Sequence, residues 1–130
     1  MVSSVPLAER LKMADKRPKV YVTQETRYDF GPAEVFGDVV FVTRDDLNNL
    51  RQSQHNETIV ARVKDALKNY DPEFDWLVIS GSPYIAALVF MLIGRKRPQH
   101  VQILRWDNRD FKYVPLHIEL RREITADEQL

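Results

Sequence analysis

The 130-residue chain contains no cysteine, an absence that removes disulfide frameworks, thiolate zinc sites and cysteine nucleophiles together. It has no excess of charge of either sign: 19 Lys+Arg stand against 19 Asp+Glu, which argues against a protein whose main task is to coat nucleic acid. Long hydrophobic runs are missing too. The most apolar stretch, Tyr84 to Ile93, is ten residues without a charge, about half of the roughly 20 needed to cross a bilayer as a helix. The first twenty residues carry Pro6, Glu9, Arg10, Lys12, Asp15, Lys16, Arg17 and Pro18, where a secretory signal needs an unbroken apolar segment of about 7–15 residues. The expected location is therefore the cytoplasm, with no membrane association.

The composition that remains is that of a soluble globular domain. A chain of this size buries roughly two-thirds of the surface its unfolded form exposes, enough for one core. The zero net charge is unevenly distributed. Residues 1–19 hold five bases against two acids, residues 20–75 six against eleven, and residues 76–130 eight against six. The chain divides into a basic N-terminal arm or short helix over 1–19, an α/β domain over 20–120 and a charged tail over 121–130. The arm has a helix-like spacing at Leu7, Leu11 and Ala14.

Within the domain, Val20–Thr23 and Asp38–Thr43 read as strands, the second an apolar run of the kind covered on both faces in parallel sheets. Between them, Asp29 to Gly37 predicts a single helical turn with a glycine at each end. Residues 44–54 are polar and weakly patterned, and are expected to form a long loop, with room for one helical turn. Asn56 is placed to cap a helix carrying Ile59, Val60, Val63, Ala66, Leu67 and Tyr70 on one face, stopped by Asp71-Pro72. Trp76–Ser80 is a further buried strand. Ser82 as N-cap and Pro83 as first residue open an apolar helix that Gly94 ends, and a helix apolar nearly all round should be covered on most sides. His100–Trp106 and Phe111–Leu120 form a hairpin around Asp107-Asn108-Arg109-Asp110, and Pro115 marks the second strand as an edge. Two successive crossovers between residues 38 and 106 make the fold α/β. The expectation is a single three-layer domain with a mostly parallel sheet of about five strands and a C-terminal antiparallel hairpin.

Ligands of open parallel sheets bind beyond the carboxyl ends of the strands. That rule selects the loops after the second, third and fourth strands, and so a rim of Arg44, Asp45, Asp46, Ser80, Gly81, Ser82, Arg105, Trp106, Asp107, Asn108 and Arg109. The Ser80-Gly81-Ser82-Pro83 turn offers amides and hydroxyls to an anion at a helix N-terminus, and is equally a good structural start for a helix. It lacks the lysine and length of a P-loop; Gly-x-Gly-x-x-Gly and Gly-x-Ser-x-Gly are both absent. Asp45-Asp46 carries oxygen ligands of the kind Mg²⁺ takes, although such pairs are commonly just solvated. His55, His100 and His117 are scattered without a metal-ligand spacing, so no zinc site is expected. Arg105 to Tyr113 interleaves bases and aromatics, as single-strand binders do, but Asp107 and Asp110 offset the charge and a hairpin laced by cross-strand pairs explains the pattern as well. The cluster Arg95-Lys96-Arg97 follows a helix C-terminus, where the dipole accounts for it.

Three segments together carry a resemblance: Tyr28-Asp-Phe-Gly-Pro-Ala-Glu-Val-Phe-Gly-Asp38, Leu77-Val-Ile-Ser-Gly-Ser-Pro83 and Ile103-Leu-Arg-Trp-Asp-Asn-Arg-Asp-Phe-Lys-Tyr113. Over about residues 20 to 120 the chain resembles small, functionally uncharacterised α/β accessory proteins of tailed bacteriophages. Shared features are a Pro-Ala-x-x-(aromatic)-Gly turn before a strand, a Gly-(Asp or Ser)-Pro turn before an apolar helix, and a Leu-(Lys or Arg)-Trp-Asp hairpin. The resemblance implies a viral accessory protein acting inside an infected bacterium, and it supplies no catalytic residues.

Three functions follow as expectations. The leading one is a non-enzymatic binding protein that engages a host or viral macromolecule, or a second copy of itself, through the polar rim and the Trp106 hairpin, without a cofactor or metal. The alternative is a small nucleotide-binding or nucleotide-processing enzyme with phosphate at Ser80–Pro83, Arg44 or Arg105 as clamp and Asp45 or Asp46 for Mg²⁺. The third is single-stranded nucleic-acid binding. Convergence of Arg44, Ser82 and Arg105 on one pocket is the structural feature that the nucleotide reading requires.

Overall fold

The computed structural model describes residues 17–51, 53–96 and 99–120. The N-terminal arm up to residue 16, Arg97 and the tail 121–130 lie outside the described residues. Five strands, β1 (Lys19–Gln24), β2 (Asp38–Thr43), β3 (Trp76–Val78), β4 (His100–Asp107) and β5 (Lys112–Glu119), form one sheet in the order β2-β1-β3-β4-β5. The first four are parallel and β5 returns antiparallel to β4. A 3-10 turn, Gly31–Val35, joins β1 to β2; helix α1 (Gln54–Ala66) joins β2 to β3, and α2 (Pro83–Ile93) joins β3 to β4. This is the α/β fold that the alternation of elements implies.

Connection handedness explains the layers. The step from β1 to β2 moves one way along the sheet and the steps to β3 and β4 move the other way, so right-handed crossovers put their connections on opposite faces. Tyr21, Val42 and Leu77 pack under Ile59 and Val63 of α1 and Ile85 and Val89 of α2. On the other face Val20, Val22, Val78 and Leu104 pack against Phe30 and Ala33 of the 3-10 segment. Direction reverses between β1 and β3, and that is where a doubly wound sheet opens its crevice. Gly37 makes the first crossover tight: a Cβ there would strike the Pro18 carbonyl, which accepts a 2.9 Å bond from Asp38 N–H.

Two local expectations are corrected. Helix α1 starts at Gln54 and is capped by Ser53, whose Oγ accepts from Asn56 N–H at 3.2 Å. Asn56 does a different job: its side chain accepts from Asn48 N–H at 2.7 Å and donates to Asn48 C=O at 3.1 Å, pinning the loop to the helix. That loop has no helical turn among its described residues. Helix α2 begins as its sequence requires, with Ser82 Oγ accepting from Tyr84 N–H at 3.2 Å and Pro83 first. Its cover is less complete than its composition suggests, because Tyr84, Ala87 and Met91 form a stripe open to solvent.

Proline and tyrosine positions make two expectations testable. Leu120 N–H donates to Gln99 C=O, and the β4–β5 register is uniform from there to the turn. Antiparallel alternation then points the even-numbered residues of β5 at β4 and turns Pro115 nitrogen to the free edge. Pro115 costs the ladder nothing and blunts that edge. Pro115→Val is expected to leave the monomer folded while making it self-associate, read as a concentration-dependent mass by sedimentation. A variant monomeric at every concentration would show that the proline is not what guards the edge.

Tyr21 and Tyr70 meet edge to face at 5.7 Å. Burial first, and the Asp75 carboxylate second, push Tyr21 up to about 12 and Tyr70 up further. Unfolded tyrosine ionises near 10, so the stability this neutrality represents is intact below about pH 10 and is lost as pH rises through the folded-state values. The loss is roughly 2–3 kcal/mol for Tyr21 alone. Among the described residues no partner meets the buried Tyr70 hydroxyl. Tyr70→Phe should therefore keep or raise stability at pH 7, by up to about 1 kcal/mol, and move the alkaline unfolding midpoint upward, measured by circular dichroism against pH.

Both ends of the described chain lie at the amino end of the parallel strands. Arg17, just before β1, is bound to Asp38 at the start of β2 at 2.9 Å, and Glu119, at the close of β5, stands opposite His100 at the start of β4.

Candidate functional site

Strand β3 ends early for a visible reason. Ser80 donates its N–H to Thr23 Oγ1 and accepts the Thr23 hydroxyl on its C=O, both at 2.9 Å, so the chain beyond Val78 leans toward β1. Only Leu77, opposite Ile103, pairs with β4, whereas β4 itself runs on to Asp107. Sequence reading extended this strand to Ser80; the side-chain grip of Thr23 stops it two residues sooner. The sheet consequently splits at its carboxyl rim.

A cleft of about 880 Å³ fills the split. Ile79 to Gly81 form one wall, Leu104 to Trp106 with Tyr113 the other, and Tyr28 to Phe30 the roof. Trp106 and Tyr113 stack edge to face at 5.0 Å across the hairpin. The surface is apolar and aromatic, with Asp29, Ser80, Arg105 and Asn108 as its polar groups. Burial, then the nearby Asp29 charge, raises the Tyr113 phenol above its ordinary pKa, so Tyr113 is a neutral donor or acceptor at physiological pH. Asp29 is itself steadied by Gly31 N–H at 2.8 Å.

Of the residues the rim rule selected, Ser80, Gly81, Arg105, Trp106 and Asn108 line this cleft. The others do not line it. Arg44 is bound to Glu25 at 2.8 Å and Asp45 to Arg62 at 2.9 Å, both near the end of β2. Asp46 accepts from Leu47 N–H, and Asp107 from Arg109 N–H in the turn. At the start of α2, Ser82 N–H is donated to Gln24 Oε1 at 2.7 Å, Tyr84 N–H to Ser82 Oγ, and Pro83 has no N–H. The Ser82 and Tyr84 amides are thus engaged and Pro83 supplies none, and of Arg44, Ser82 and Arg105 only Arg105 lines the cleft. Among the described residues no group of three or more His, Asp or Glu side chains is placed to hold a metal ion. His55 bonds to Asp46 C=O and His117 stacks on Trp76 at 5.6 Å.

Tyr28, Asp29, Phe30 and Tyr113 were not selected from sequence. The first three follow β1, whose carboxyl end opens onto the same rim as the others. Applying the rim rule to the loop after the first strand as well would have found them.

These features define a small α/β protein with a split parallel sheet and an aromatic cleft at its carboxyl rim. The family model for phage Pam3 gp32-like proteins matches residues 18–120, and the chain belongs to that family. It is thus a small phage protein with the fold described above. Searches of curated proteins and of solved structures returned no match. Among the described residues no helix is long and apolar enough to cross a membrane.

Proposed function

We propose that the protein is a non-catalytic phage accessory factor that works in the host cytoplasm and captures a segment of a host or viral protein in the rim cleft. The cleft itself carries this reading. Its volume of about 880 Å³ lies within the range of about 300–1,000 Å³ usual for binding pockets, and its few polar groups among aromatic walls suit orientation of an apolar guest. Aromatic and arginine side chains such as Trp106, Tyr113 and Arg105 are also the commonest anchors of protein interfaces. The alternation of Arg105, Arg109 and Lys112 with Asp107 and Asp110 supports a protein partner over a polyanion.

The hairpin tip supports the same reading. Phe111 has φ 50° and is 73% exposed. A bulky residue in the left-handed region is strained, and this ring recovers little by packing. Phe111→Gly should therefore raise stability by about 0.5–1 kcal/mol in urea unfolding while weakening partner capture. Equal loss of both would assign the ring to the fold alone.

A photocrosslinking amino acid at position 79, on the cleft wall, tests the proposal in infected cells. The expected result is one dominant crosslinked protein that disappears when Trp106→Ala is added. Crosslinks indifferent to Trp106 would overturn it. So would stabilisation by a nucleotide with or without Mg²⁺, which at 100 times its Kd amounts to about 2.7 kcal/mol, or tight capture of a labelled single strand that fades with salt.

A further inference from the structure

We infer that the partner enters the cleft as an extended polypeptide strand and pairs its main chain with the inner edge of β4 that β3 leaves unpaired beyond Leu77; this rests on the protein-binding reading above. Alternation along β4 carries the argument. Because Gln99 pairs directly with Leu120, the odd-numbered residues of β4 direct their backbone groups to β5, and Gln102, Leu104 and Trp106 direct theirs to the β3 side. Leu77, opposite Ile103, occupies the lower part of that edge. One step higher Ile79 should repeat the pattern opposite Arg105, but the Thr23–Ser80 grip has drawn the chain away. Among the described residues no backbone partner meets Leu104 C=O or Trp106 N–H. Both residues line the cleft, Leu104 at its floor with 2% exposure and Trp106 at its mouth with 38%, between apolar walls where unpaired backbone groups are costly.

A single residue of a parallel strand satisfies both groups at once, as Leu77 does opposite Ile103. This is strand addition at a sheet edge, in which backbone bonds supply affinity and alternate side chains supply specificity. The alternation predicts the guest sequence. Trp106 and Tyr113 stand on one face of the sheet and Arg105 on the other, so successive guest side chains meet them in turn. Arg17, Arg44 and Arg62 are each held by a carboxylate, whereas Arg105 has no ion pair among the described residues. The guest is therefore an extended segment with a bulky apolar residue for the aromatic wall and an Asp or Glu immediately beside it for Arg105.

The test is selection of a displayed library of random 12-residue peptides on the immobilised full chain, followed by synthesis of the enriched peptide with each backbone nitrogen methylated in turn. Expected are an apolar–acidic pair in the enriched sequence, at least tenfold weaker binding with N-methylation at one position next to that pair, and at least tenfold weaker binding to Arg105→Glu. Ile79→Arg, at a position already 52% exposed, should fill the cleft without disturbing the core and abolish binding. If N-methylation at every position leaves affinity within twofold while Ile79→Arg still abolishes it, strand pairing is wrong and the cleft reading stands. Peptides indifferent to Ile79→Arg, or no enriched sequence at all, would overturn both.

Discussion

Asp75→Ala is expected to remove about 3–5 kcal/mol from the unfolding free energy, a large part of what a domain of this size possesses. The side chain is 1% exposed and is surrounded by backbone rather than by cations. One carboxylate oxygen accepts Lys19 N–H at the start of β1, and the other accepts Asp71 N–H in the turn before β3, each at 2.9 Å. Asp75 thus joins the first strand to the third across 56 residues of sequence. Removing it strands two amides and leaves a cavity. Asp75→Asn retains one acceptor oxygen and should lose about half as much. Urea unfolding of the two variants measures this, and a loss below about 1 kcal/mol for alanine would show that the carboxylate is not the fastening. A second readout is independent of stability: without the Asp75 charge, Tyr21 and Tyr70 should ionise at lower pH.

Gly81→Ala is expected to lose about 2–4 kcal/mol, for two additive reasons. Gly81 has φ +75°, which an L side chain adopts only with strain, and a Cβ there would strike the Gln24 side chain. Gln24 bridges the switch point, accepting from Ser82 N–H at 2.7 Å and donating to Arg44 C=O at 3.2 Å. Displacing it would free the amide at the start of α2. The variant should therefore be less stable and should show an upfield-shifted, fast-exchanging Ser82 amide by NMR. Unchanged exchange at Ser82 would mean that Gln24 has somewhere else to go.

Much of this fold is legible in the chain. The β2 run Asp38–Thr43 is apolar and β-branched enough to be delimited to the residue, and Ser82-Pro83 to Gly94 carries start and stop signals that nothing in the tertiary structure overrides. The misreadings occur where two local signals are equal or where a distant residue decides. Ser53 and Asn56 are both good helix caps, and what separates them is Asn48, eight residues before Asn56, claiming the Asn56 side chain. Ile79 and Ser80 have strand character, yet Thr23 ends β3 from 57 residues away. The alternation of Val114, Leu116, Ile118 and Leu120 identifies a face of β5 but not its fate: Tyr113, on the opposite face, is buried, while Leu116, Ile118 and Leu120 stay exposed.

The candidate site was half legible for the same reason. Ser80, Arg105 and Trp106 follow from the rim rule, which depends only on strand direction. Their separation from Arg44 and Ser82 depends on strand order and on the Gln24 bridge, neither of which leaves a local signal. The roof residues Tyr28 and Phe30 belong to a loop that reads as a simple turn.

With both ends of the described chain at the amino edge of the sheet and the cleft at the carboxyl edge, the domain has a fixed polarity. Arg17 and Leu120 thus lie about 20–25 Å from the cleft mouth, the length of six to eight extended residues. A label attached beside Arg17 or Leu120 would therefore report on the domain from the side opposite the cleft.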